Sequence, residues 1–268
     1  MGHQFSGISI ILPTLNEEEN LSIIIPQLFS MFQDLSIEDY EIIVVDDNST
    51  DNTDVLVNNF AGKGEKVKLI QRKTKNSLPR SILKGINTSS FENVGWLDAD
   101  GSMPISVLKK LILELIKKPE SVIIGSRFVE KGGIKGIEKI EDKSITEIIR
   151  NLRKSNDSII STFLSYVLNK VFRFLIKTNV KDITSGFIVG KKSYFDERIF
   201  LSANYGDYFI YLLDYLSRNR IESFEIGYIC KTRMHGVSKT GSDFISIIKN
   251  GIPYLIAVTR CKINRYGN

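Results

Sequence analysis

Short β-rich runs alternate with helical segments across the first 127 residues, and no other feature constrains the fold of this chain as strongly. Strand-like runs at 8–12, 41–46, 67–71, 93–97 and 121–125 are separated by segments with helical apolar spacing at 17–33, 51–60, 79–88 and 104–117. That order predicts an α/β fold with a mostly parallel central sheet flanked by helices. Sheets of this kind take their ligands just beyond the carboxyl ends of the strands. The residues that follow each strand are therefore the first place to look for chemistry.

Those residues are acidic. Val94-Gly95-Trp96-Leu97-Asp98-Ala99-Asp100 is an apolar stretch ending in two carboxylates one residue apart. Alternation in extended chain puts Asp98 and Asp100 on one side, where two like charges call for a cation. Hard divalent ions prefer oxygen ligands, and Mg²⁺ commonly takes one or two carboxylates and completes its shell with phosphate and water. A surface turn after a strand would also contain Asp, so the pair gains weight from its neighbours. The second strand runs into Asp46-Asp47-Asn48-Ser49-Thr50-Asp51, where Asp47 is placed to reach a ribose or base edge. The first stops at Pro13-Thr14-Leu15-Asn16-Glu17-Glu18-Glu19, a strand stop joined to an acidic helix start.

Composition sets the bounds. The 268 residues can bury a full core, and 42% hydrophobic with 25% charged residues is ordinary for a globular chain. A formal net charge of +5 suits a phosphorylated ligand or an anionic membrane face. No aromatic-interleaved basic cluster or zinc-finger spacing points to nucleic acid. Cys230 and Cys261 lack metal or redox spacing and are expected to be free thiols in a reducing compartment. The start of the chain shows no cleavable signal, and Lys170, Arg173 and Lys249 interrupt the most apolar windows, so any membrane contact is expected to be peripheral.

The second half is less regular. Residues 130–157, rich in Lys, Glu and Gly, read as a mobile loop with one helix at 143–153. Helices are expected at 159–177 and 206–218, and strands at 187–190 and 221–229. The tail, 244–268, has apolar positions in helical spacing with Gly251 and Pro253 placed to kink it. Its Lys249, Arg260, Lys262 and Arg265 suit lipid headgroups, while packing on the domain's own core is the equal alternative. Two basic stretches remain. Arg127, in Gly125-Ser126-Arg127, should emerge on the same edge as the carboxylates and can clamp a phosphate bidentately. Arg233 and Lys239 flank Gly236 in a segment suited to closing over a diphosphate.

Taken together, Pro13-Thr14-x-Asn16-Glu17, Val45-Asp46-Asp47-x-Ser49-x-Asp51-x-Thr53, Asp98-Ala99-Asp100, Gly125-Ser126-Arg127, Asp182-x-Thr184-Ser185-Gly186-Phe187 and Arg233-x-x-Gly236-x-Ser238-Lys239 resemble the family-2 inverting glycosyltransferases, and within them the polyprenyl-phosphate mannose synthases. The resemblance implies a single GT-A type nucleotide-diphospho-sugar transferase domain over residues 1–243, with 130–157 as an acceptor-side loop and 244–268 as an amphipathic C-terminal helix. Pro13, Leu15, Glu17, Val45 and Asp47 would hold the nucleoside. Asp98 and Asp100, with Ala99 between them and Ser102 beyond, would hold Mg²⁺ or Mn²⁺ on the diphosphate. Arg127 would meet the acceptor phosphate and the transferring sugar, and Arg233 with Lys239 would cover the donor. Where the family carries an aromatic residue, a Gly-Leu-Gly stretch and two arginines, this chain has Leu15, Ser77-Leu78-Pro79, Tyr166 and Ile188. Arg150, Arg153 and Arg173 are the candidates to replace the arginines.

The reaction implied is displacement at the anomeric carbon of a nucleotide sugar, GDP-mannose by the subfamily resemblance, by a polyprenyl or dolichyl phosphate oxygen. The implied setting is the cytosolic face of a membrane, with a membrane partner subunit as a further expectation. An acceptor phosphate is already anionic and needs no general base. A hydroxyl acceptor would need one, and Asp182 and Asp207 are the candidates. A catalytically silent nucleotide-sugar-binding module is the third reading.

Overall fold

The computed structural model describes residues 5–134, 137–138, 169–231, 233–235 and 244–263. The expected 143–153 helix, Arg150, Arg153, Tyr166 and Lys239 lie outside them. The alternation over the first half is realised as β1 (Ile8–Thr14), α1 (Glu18–Asp34), β2 (Tyr40–Asp46), α2 (Thr53–Gly62), β3 (Val67–Gln71), α3 (Leu78–Thr88), β4 (Asn93–Trp96), α4 (Ile105–Lys117) and β5 (Val122–Ser126). Short strands β6 (Gly133–Ile134) and β7 (Ile137–Glu138) follow. After a helix over 169–176, α5, come β8 (Ile188–Lys191), a 3₁₀ turn at Lys192–Tyr194, α6 (Glu197–Leu201), α7 (Tyr208–Arg218), β9 (Ser223–Gly227), β10 (Ile229–Cys230) and α8 (Phe244–Lys262).

Seven strands form the central sheet in the order β3-β2-β1-β4-β8-β5-β9. All neighbours are parallel except β8, which runs antiparallel to both β4 and β5. Strands β10, β6 and β7 make a second small sheet. Because both faces of the central sheet are covered, its inner strands are mostly apolar, and β1, β2, β4 and β5 bury nearly every side chain, while the edge strands β3 and β9 are only partly buried. One face receives Leu21, Ile24, Ile25, Leu28 and Phe32 of α1 and Leu108, Leu111, Ile112 and Leu115 of α4, spaced three or four apart as one helix face requires. Each of these side chains contributes roughly 1.5–3 kcal/mol by leaving water. The other face is capped by α3, α6, α7 and an aromatic group, Trp96, Phe195, Phe200 and Tyr208, in which Trp96 Nε1 donates to the Tyr208 hydroxyl at 3.0 Å.

The strands are close where side chains are missing. A Cβ on Gly125 would lie 2.6 Å from the Phe187 ring, so the small residue in β5 lets that ring pack against the strand. Helix α8 runs unbroken from Phe244 to Lys262 with Gly251 and Pro253 inside it. Its Ala257, Val258 and Cys261 are buried in the same core as α7, and Arg218 Nη2 donates to the Cys261 carbonyl at 2.7 Å. Both cysteines are free thiols. Among the described residues no helix is long and apolar enough to cross a membrane.

Candidate functional site

The carboxyl ends of β1, β2, β4 and β5 open onto one cavity of about 580 Å³. The loops that reach it are tied to one another before any ligand is considered. Asn16, held at φ +55°, accepts from the Thr50 amide at 2.7 Å through its side chain, while its own amide donates to Ser49 Oγ at 2.8 Å. Asp46 accepts from the Ser49 amide at 3.1 Å, and Asp51 accepts from the Glu18 amide at 3.1 Å. Much of the first two acidic motifs is therefore cross-linking between neighbouring loops.

Asp98 and Asp100 both line the cavity, but not as alternating residues of a strand. Strand β4 ends at Trp96, and the pair belongs to the turn beyond it. Gly101 turns the chain at φ +77°, a region side chains resist, and the Ser102 amide donates to Asp100 Oδ1 at 2.9 Å. Burial, reinforced by the Asp100 charge, pushes the Asp98 carboxyl up from 3.8 to about 7. Arg233 faces the pair: its Nη2 lies 3.3 Å from Asp100 and its Nη1 donates to Glu17 Oε1 at 2.8 Å. Among the described residues no third Asp, Glu, His or Cys joins them to complete a metal cage. Two carboxylates with open oxygen positions fit an ion of the Mg²⁺ or Mn²⁺ type that shares its shell with a phosphate.

The strap that delivers Arg233 is fastened at several points. Lys231 N donates to the Ser102 carbonyl at 3.0 Å and Met234 N to the Asp100 carbonyl at 3.1 Å. Asn20 accepts from the His235 amide at 3.0 Å and donates to its carbonyl at 3.2 Å, and also donates to Glu17 Oε2 at 2.5 Å. Glu17 thus aims Arg233.

Pro13, Leu15, Asp47, Asn76, Ser77, Leu78 and Ser81 line one end of the cavity. Asp47 is paired with the Arg72 guanidinium and accepts from the Ser77 amide at 2.5 Å; burial nevertheless raises its pKa. Arg72 also donates to Ser81 Oγ at 3.0 Å and to Thr74 Oγ1 at 3.0 Å, fixing the 72–81 segment. Ala99 and Ser102 line the cavity beside the carboxylates. Val45 does not: its side chain is wholly buried in the core.

At the other end, Arg127 is held bidentately by Asp182, through Nε at 2.8 Å and Nη2 at 2.7 Å, and donates to Thr184 Oγ1 at 2.8 Å. Asp182 is fully buried, and its charge raises the Arg127 pKa against the cost of burial. Thr184, Ser185, Gly186, Asn204, Tyr205, Gly206, Tyr208 and Tyr254 complete that wall. Asp207 is buried and accepts the Asn204 and Tyr205 amides, at 3.0 and 2.6 Å, from beneath the turn that carries them. Sequence reasoning missed Asn20, Arg72, Tyr205 and Tyr254. Asn20, four residues before Ile24 on a core helix, and Arg72, at a strand end, carry no local mark of their roles.

A family model, glycosyl transferase family 2, matches residues 9–199. The dolichol-phosphate mannosyltransferase of Pyrococcus furiosus is 36% identical over 127 residues, 47% of this chain and 35% of that protein. The chain therefore aligns with about a third of that relative's length. The polyprenol monophosphomannose synthase of Mycolicibacterium smegmatis is 27% identical over 237 residues, 86% of this chain and 79% of that one. Among solved structures, glucosyl-3-phosphoglycerate synthase from Mycobacterium tuberculosis, in complex with Mn²⁺, uridine diphosphate and phosphoglyceric acid, superposes with a TM-score of 0.59 at 16% identity over 96% of this chain and 78% of that one. The mostly parallel seven-stranded sheet and its flanking helices match the GT-A fold of that neighbour.

Proposed function

The chain belongs to glycosyl transferase family 2, and from that premise we propose that it moves a hexose, with inversion, from a nucleoside diphosphate sugar to a polyprenyl or dolichyl phosphate. Mannose is the preferred sugar, supported by the names of the Pyrococcus and Mycolicibacterium relatives, and GDP is the nucleotide proposed with it. The observation that carries the acceptor class is the engagement of the carboxylates around the cavity other than Asp98 and Asp100, which are reserved for the metal. Asp182 is forked by Arg127, Asp207 is buried under its own turn, Asp47 is paired with Arg72, and Glu17 with Arg233. A hydroxyl acceptor needs a carboxylate able to take its proton, whereas a phosphate attacks as the anion it already is.

On this reading Pro13, Leu15 and Asp47 bound the nucleoside, with Arg72 holding the segment across from it. Asp98 and Asp100, with Ser102 at the edge, would hold Mg²⁺ or Mn²⁺. Such an ion, when bound, offsets the charge that builds on the departing diphosphate. Arg233, aimed by Glu17, adds a fixed positive charge on the same side, and Lys239 would extend it. Arg127 is oriented by Asp182 and Thr184 before substrate arrives, so a phosphate oxygen meets a guanidinium that does not have to reorganise. No proton needs to move in the transfer.

The catalytic unit is taken as residues 1–243, with 130–157 on the acceptor side and Tyr254 of α8 added to its cavity wall. Within 244–268, α8 would rest on the cytosolic face of a membrane, alone or with a membrane partner subunit. Its Ile252, Leu255 and Ile256 are exposed at helical spacing, with the exposed Arg260 and Lys262 beside them.

Purified protein, Mn²⁺ and a panel of radiolabelled GDP- and UDP-sugars incubated with polyprenyl phosphate in detergent test the proposal. Label should enter the lipid phase with one donor, vanish in EDTA and persist in Asp207→Asn. Donor binding with no lipid label, or loss of transfer in Asp207→Asn with donor affinity intact, would refute the phosphate-acceptor reading.

A further inference from the structure

Helix α8 lies beyond the residues matched by the family model, yet one of its side chains forms part of the cavity wall. Tyr254, Ala257, Val258 and Cys261 fall at i, i+3, i+4 and i+7, one face of the helix. The last three are buried against α7, so the first is aimed by packing and not by chance of a loop. Its hydroxyl rests against Gly206, where a Cβ would overlap it, so the absence of a side chain at 206 is what admits it. Gly206, Asn204 and Tyr205 belong to the turn that Asp207 holds from below. Arg127 and Asp98 line the same cavity as Tyr254. Among the described residues no protein group pairs with the Tyr254 hydroxyl.

We propose that Tyr254 contacts substrate, donating its O–H to an oxygen of the acceptor phosphate on which Arg127 also acts. The assignment deepens the phosphate-acceptor reading and rests on it. A tyrosine suits this place because burial pushes its pKa further above the usual value and the group stays a neutral donor. A phosphate between a guanidinium and a phenol receives charge-assisted hydrogen bonds from two directions, which fixes the attacking oxygen more tightly than Arg127 alone. The geometry also makes α8 part of the acceptor site. The same helix turns Ile252, Leu255 and Ile256 outward, so one rigid element joins the surface where a lipid chain would lie to the place where its phosphate reacts.

The test is calorimetric titration of geranyl phosphate into the full chain saturated with Mn²⁺ and with GDP or UDP, whichever binds. Tyr254→Phe should weaken geranyl phosphate about 10- to 100-fold, the range for one hydrogen bond to a charged group, with nucleotide affinity and melting temperature unchanged. Gly206→Ala, whose methyl must push the hydroxyl aside, should weaken it similarly and add little in the Tyr254→Phe background. Unaltered geranyl phosphate affinity in Tyr254→Phe, or an equal loss of nucleotide affinity, overturns the assignment. Wild-type protein that binds the nucleotide but not geranyl phosphate overturns the acceptor reading, and this inference with it.

Discussion

Replacing Asp98 by Asn should stabilise the metal-free protein, and the amount should depend on pH in a defined way. The carboxyl rises from 3.8 to about 7, first because burial disfavours its charge and then because Asp100 is beside it. A folded pKa above the unfolded one means that the folded state holds the proton more tightly. Stability is therefore greatest below pH 4 and falls as pH rises, until the folded group has itself ionised above 7. About three units at roughly 1.4 kcal/mol each give ~4 kcal/mol at pH 8. Asp98 borders the cavity and water reaches it, so about half is retained, ~2 kcal/mol, or roughly 4 °C in melting temperature for a chain of this size. At pH 5.5 only the first half of the titration interval has been crossed, and the gain should be about half as large. Differential scanning calorimetry in EDTA at both pH values measures it. With Mn²⁺ and nucleoside diphosphate added the order should reverse, because only wild type gains the bound ion. An Asn variant no more stable than wild type at pH 8, or equally stabilised by Mn²⁺, would refute the reasoning.

Three further outcomes are expected. Glu17→Gln should raise the donor KM about tenfold, the effect of losing one charge-assisted hydrogen bond, with acceptor KM unchanged, because Glu17 acts by aiming Arg233; an effect on acceptor KM alone would show that aim to be irrelevant. Asp182→Asn should cost ~3 kcal/mol in urea denaturation, since it leaves the Arg127 guanidinium beside the core without its counter-charge; a loss below ~1 kcal/mol would contradict the pairing. Leu255→Ser with Ile256→Ser should release the protein from anionic vesicles in a sedimentation assay while leaving its turnover of soluble geranyl phosphate within about twofold; retained sedimentation would move the membrane surface elsewhere.

The features legible in the sequence are those set by neighbours along the chain. The β1–α4 alternation, the acidic ends of β1, β2 and β4, and the position of Arg127 after β5 each follow from a few consecutive residues. Direction and partnership do not. The apolar run at Ile188–Lys191 would suit a parallel or an antiparallel strand equally, and only the path of the chain makes β8 antiparallel. Asp47 carries a binding motif, but its Arg72 partner lies 25 residues away in a segment with no motif. Tyr254 was hidden most thoroughly, because helical spacing on a core face describes Tyr254 and Ala257 alike; only the missing side chain at Gly206 separates a tyrosine that fills a core from one that reaches a cavity.

Charge balance then explains the order in which such a site should fill. Asp47 is neutralised by Arg72 and Arg127 by Asp182, so neither sets the field in the middle of the cavity. At pH 8, above the Asp98 pKa of about 7, the described lining residues that remain are Glu17, Asp98 and Asp100 against Arg233 and Lys231, a net negative charge. A nucleoside diphosphate approaching that field is repelled, and a divalent cation is attracted; once the cation is held, the sign of the field reverses and the diphosphate is attracted in its turn. Mn²⁺ should therefore bind without nucleotide, while nucleotide without Mn²⁺ binds weakly. Two titrations in opposite order separate the cases, and nucleotide affinity equal with and without EDTA would show that Arg233 alone already makes the cavity cationic.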